Sequence, residues 1–157
     1  MSLSDPFLMR NLVYGIEDSL VSTSGVIIGI ALAGVKRREI LITGSILVMV
    51  EALSMAFGSF VSEDSFMLTA KMAHAPMDVL KYALVMFLSY VLAGLVPMLP
   101  FILDFDHAWR YSFALAILAL FSLLYWFDRK IKKASILATV GGVILGISVM
   151  TGSYLKH

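Results

Sequence analysis

Glu51 is the residue most able to do chemistry in this 157-residue chain, because it stands alone in an apolar run from Ile40 to Ser62 that includes ITGSILVMVEALSMAFGSFVS. With a rise of about 1.5 Å per residue, a helix over that run spans roughly 30 Å and puts Glu51 near the middle of a bilayer core. A bare charge there costs about 2.5 to 3.5 kcal/mol on insertion scales, so a carboxylate at that depth calls for a partner, a polar cavity or an ion. Helical spacing groups Gly44, Leu47, Ser54, Met55, Gly58 and Ser62 with it, a face of small, polar and thioether groups suited to another helix rather than to lipid. Ser54 offers a hydroxyl oxygen and Met55 a soft sulfur, which with the acid could replace part of the hydration shell of a divalent first-row metal. A second stripe runs from Asp18 through Ser22 and Gly25 to Gly29. Glu17 lies on a different face and reads equally well as an ordinary acid at a helix start. Gly25 and Gly29 also fit simple close packing of helices.

Apolar crossings must position these groups. With 60% hydrophobic and 15% charged residues, and a mean hydropathy of +0.92, the chain is too apolar for a soluble domain of its size. An all-α membrane protein of five spans is expected, at about 12–35, 40–62, 82–103, 111–127 and 134–155, with 63–81 as a short link. Met1 to Asn11 has no separate apolar core before a small-residue site, so the first span is expected to be retained. The absence of cysteine leaves oxygen, imidazole and thioether as metal ligands, and a net charge of +1 gives no nucleic-acid signal.

The remaining segments are less pointed. Glu63, His74 and Met67, Met72 and Met77 in the link could collect metal, but a solvated connector has the same composition. The third span, YALVMFLSYVLAGLVPMLPFIL, is uncharged, and Pro97 and Pro100 predict that its helix kinks or stops there. The fourth reads as scaffold, and Gly141, Gly142 and Gly146 of the fifth point to tight packing. A cytoplasmic N-terminus puts seven Lys and Arg inside against five outside, which favours that orientation by a small margin.

Three stretches in register resemble the vacuolar iron transporter family: YGIEDSLVSTSGVIIGIALAGV on the first span, EALSMAFGSFVS on the second and YVLAGLVPMLPFIL at the end of the third. The resemblance covers nearly the whole chain. It implies a homodimer in the lipid bilayer whose first two spans line a path at the two-fold interface. It further implies that Fe²⁺ or Mn²⁺ leaves the cytoplasm through that path in exchange for protons, the ion being cargo rather than a resident cofactor. The family's first-span aspartate falls on Asp18 and its second-span methionine on Met55 beside Ser54, while Glu51 matches an acid of the fungal branch. Ser22, Glu17 and Glu63 are possible accessory groups. Leu47 stands where the plant branch has its acid, and Ser59 where an acid often follows the signature glycine, although Glu63 lies one turn further on. The link at 63–81 is too short for the Glu- and Met-rich cytoplasmic domain of eukaryotic members. A cell-membrane location is expected. The alternative is a membrane scaffold of the same fold that moves nothing; an enzyme is not supported, since no span carries a His or a nucleophile and base at helical spacing.

Overall fold

The computed structural model describes residues 5–72 and 75–128, which form four helices and no strand. Helix α1, Pro6–Leu32, opens with Asp5 accepting the Phe7 N–H at 3.0 Å and with Pro6 at the first helical position, where its missing donor costs nothing. It closes on Gly34, whose φ of +84° lets Gly34 N–H reach Ala31 O and Val35 N–H reach Ile30 O at 3.1 and 3.2 Å. That paired bonding satisfies the last carbonyls and turns the chain sharply into the next helix.

Helix α2, Arg37–Thr69, has 33 residues and so extends about 50 Å, well beyond a membrane core of about 30 Å. The expected link at 63–81 is therefore mostly helical: α2 carries on past Ser62 through Glu63 to Thr69, and α3, Pro76–Ile102, begins five residues before the expected Lys81 boundary. Loss of hydropathy marks where a helix leaves the apolar layer, but Glu63, Asp64 and Ser65 contain no breaker and do not end it. Pro97 and Pro100 likewise do not stop α3, which remains helical through both and ends two residues after the second. Helix α4, Ala108–Asp128, packs on this proline-bearing end of α3, where its Ser112 hydroxyl donates to Pro97 O at 2.7 Å.

Three of these helices, α1, α2 and α3, are long and apolar enough to cross a membrane, and α4 has a shorter apolar stretch over Ala108–Leu123. The protein is an integral multi-pass membrane protein by this composition. The expected fifth span, 134–155, and His74 lie outside the described residues.

Helix α3 is the hub. It packs on α1, α2 and α4, while α2 and α4 sit on different sides of it and do not meet. Close approach is bought with missing side chains at two glycines. A Cβ on Gly15 would lie 2.0 Å from Ser89 Oγ, and one on Gly94 would lie 2.7 Å from Val48 Cγ2 and 2.9 Å from Ser19 Oγ. Gly94 thus marks the junction of α1, α2 and α3, and Ser19 there donates to Tyr90 O at 2.7 Å. Gly94→Leu is expected to destabilise the fold by about 1 to 3 kcal/mol, the range of overpacked cores, read as a lowered thermal midpoint of the detergent-purified protein. An unchanged midpoint would mean that the three helices are not pinned here.

One end of the bundle is tied by Arg37, at the start of α2. Its guanidinium donates to Phe101 O and, at 2.8 Å, to Ile102 O, capping the last carbonyls of α3, and it pairs with exposed Asp104 at 3.1 Å. The capping bonds fix the two turns together; the exposed ion pair adds little.

Candidate functional site

Helical spacing sets Asp18 and Ser22 on one face of α1, and Glu51 and Met55 on one face of α2. Gly94 lets the two helices close on α3 four residues beyond Tyr90. The result is a three-helix contact centred on Glu51. Its Oε2 accepts from Ser22 Oγ at 2.8 Å and from the Tyr90 hydroxyl, and those two hydroxyls are themselves 2.6 Å apart. Among the described residues no hydrogen bond reaches Oε1, and the residue is half-buried, so one carboxylate oxygen is held while the other can take a ligand.

Glu51 Oε2, Ser22 Oγ and the Tyr90 hydroxyl oxygen thus form a ring of three mutual contacts that ties α1, α2 and α3 together.

The other expected residues divide into two groups. Asp18, one turn before Ser22, is exposed, and its charge and that of Glu51 are close enough to repel. Glu17 is half-buried beside it and takes no part in the ring. Met55 packs against the apolar cluster that includes Ile27, Val48 and Tyr90, as a core methionine would, and also lines a pocket of about 330 Å³. Ser54, exposed, lines the same pocket, whose far wall is Glu63. Glu63 is twelve residues along α2 from Glu51, an axial separation of roughly 18 Å, so it belongs to a separate cluster. Among the described residues, no three His, Asp, Glu or Cys side chains converge on one point.

A model of the VIT family matches the sequence over residues 9–75 and 63–156. The chain belongs to the VIT family. Neither a curated protein nor a solved structure matches it. The matched stretches take in α2, α3, α4 and all but the first three residues of α1, and run on through the region of the expected fifth span, so the family assignment read from the three motifs holds along the chain. VIT family membership places the protein among membrane metal-ion transporters rather than enzymes.

In this VIT family chain, Tyr90 is the site residue that sequence reasoning missed. A signal was available: it is a phenol in the middle of an uncharged span, and a buried hydroxyl there needs a partner. Arg10 and Asn11 were also passed over, because they lie before the expected start of the first span at about residue 12, whereas α1 already starts at Pro6.

Proposed function

We propose that the protein exports Fe²⁺ or Mn²⁺ from the cytoplasm in exchange for protons, as a homodimer, with Asp18, Glu51 and Met55 as ligands along the path and Ser54 and Ser22 assisting. The observation that carries this reading is the Glu51 carboxylate, midway along an apolar helix and turned inward onto Ser22 and Tyr90, with one oxygen open and a second acid near. Carboxylate oxygen binds both ions, and a thioether adds preference for them over Mg²⁺ and Ca²⁺. The ring of three oxygens takes a proton on Glu51 when no metal is bound and releases it when a divalent ion occupies the carboxylate.

A second copy is favoured by what a single chain leaves uncovered. Asp18, Ser54, Gly58 and Ser62 are exposed at membrane-compatible positions, and a Cβ on Gly58 would meet nothing within 4 Å. Lipid is a poor solvent for such a face, whereas an identical face across a two-fold axis would enclose it and complete a ligand set of which one chain supplies two carboxylates. The small excess of Lys and Arg on the N-terminal side supports a cytoplasmic N-terminus.

The test is a flux panel in proteoliposomes with Fe²⁺, Mn²⁺, Co²⁺, Zn²⁺ and Mg²⁺. Transport of Fe²⁺ and Mn²⁺ but not Mg²⁺ is expected, and Met55→Leu, which keeps the volume and removes the sulfur, should narrow the preference for Fe²⁺ over Mg²⁺ with little loss of stability. Vesicles that move none of these ions would leave the scaffold reading.

A further inference from the structure

Helix α3 carries no charge between Lys81 and its end at Ile102, and the polar side chains on that stretch are Tyr82, Ser89 and Tyr90. Tyr82 donates to Asp5 Oδ2 at the start of α1, at 2.9 Å, and Ser89 turns back onto Met86 O of its own helix. Tyr90 is the one that reaches the level of Glu51. Its ring is fully buried in the apolar cluster with Ile27, Val48, Ala52 and Met98, and its backbone carbonyl is held by Ser19 where Gly94 lets α1 and α2 close on α3. A ring fixed in this way presents its hydroxyl at one point, and that point is Glu51 Oε2.

A glutamate side chain without such a partner turns freely and can offer an ion one oxygen or both. In this protein Oε2 accepts from Ser22 and from Tyr90, which takes up both lone pairs of that oxygen and leaves Oε1 for an ion. The phenol oxygen is buried within its contacts to Glu51 and Ser22, so Tyr90 acts through the carboxylate and not as a ligand. How many oxygens a carboxylate offers bears on which ion it suits. Ca²⁺ surrounds itself with about six to eight oxygens and readily takes both from one carboxylate, whereas a smaller six-coordinate transition ion is served by one.

We propose that Tyr90 is a positioning residue that sets ion choice: it holds Glu51 as a one-oxygen ligand, which favours Fe²⁺ or Mn²⁺ over Ca²⁺. The role rests on the transport reading above and deepens it, by assigning part of the selectivity to a group on α3, outside the two helices that supply the ligands. Ser22 shares the hold on Oε2 from α1, so the carboxylate of α2 is aimed by both of its neighbours. Outer partners of this kind orient a ligand and tune the ion it takes without touching the ion themselves.

The experiment is a Mn²⁺ titration of the purified protein, read as loss of the free Mn²⁺ paramagnetic resonance signal and followed by competition with Ca²⁺. Tyr90→Phe keeps the buried ring and removes only the hydroxyl. It should weaken Mn²⁺ binding by about 10-fold, the lower end of what losing a ligand-orienting group causes, and narrow the preference for Mn²⁺ over Ca²⁺ by a similar factor. The second effect arises because a released carboxylate can grip Ca²⁺ with both oxygens. Unchanged Mn²⁺ affinity overturns the proposal, and so do Mn²⁺ and Ca²⁺ affinities that fall together, the result of a merely loosened junction. Should Tyr90→Phe not purify as folded protein, Ser22→Ala removes the other donor to the same oxygen; the same split between the two ions supports the hold on Oε2, and its absence overturns it. A protein that shows the split but moves no ion in vesicles loses the transport reading and keeps the positioning role.

Discussion

Glu51→Gln is expected to reduce metal flux in proteoliposomes to the level of protein-free vesicles while leaving the protein folded. The amide has the shape of the acid and can still accept from Ser22 or Tyr90, so the junction of α1, α2 and α3 keeps its geometry. What it loses is the negative charge and the ability to exchange a proton for a metal. Both losses fall on the transported ion, since an amide oxygen is a far weaker partner for Fe²⁺ or Mn²⁺ at a depth where no water can compensate. A thermal midpoint close to that of the unaltered protein together with absent flux is the expected pair of results. Retained flux would mean that the ion does not pass this carboxylate.

Asp18→Asn should have a flux effect of similar size with an even smaller cost in stability. Asp18 is exposed, and substitutions at such positions usually change stability by less than about 0.5 kcal/mol. Its charge nevertheless acts on Glu51, and the two acids together would neutralise a divalent ion that either alone could not. Glu17→Gln, one residue away on another face, is the matched control and should keep most of the flux. Equal loss in both variants would point to a general surface-charge effect instead of a ligand role for Asp18.

Much of this was legible in the residues because the membrane makes polar groups expensive. An acid halfway along an apolar run, with small and hydroxyl-bearing neighbours at helical spacing, announces an inward-facing site, and Glu51 meets Ser22 as two stripes on adjacent helices should. The family assignment followed from three motifs in register. Tyr90 was less visible since its ring is apolar enough to pass as core, and only the position of its hydroxyl, fixed by the packing of Gly94 against α1 and α2, makes it part of the ring. The continuation of α2 past the expected span was not visible for a different reason: hydropathy reports the solvent around a helix, and Glu63 lies beyond the apolar stretch yet still inside the helix and buried by Arg10 and Asn11. The prolines of α3 were read from backbone chemistry alone, which does not weigh the packing of α1, α2 and α4 around α3 that keeps it helical through both.

The central claim is that Glu51 trades a proton for a metal ion. The most direct measurement is of internal pH in vesicles containing the purified protein, with a trapped pH-sensitive dye, when Mn²⁺ or Fe²⁺ is added to one side. Proton movement opposite to the metal, present in the unaltered protein and absent in Glu51→Gln, is the predicted result. Metal entry without any proton movement, or proton movement of equal size in Glu51→Gln, would contradict it.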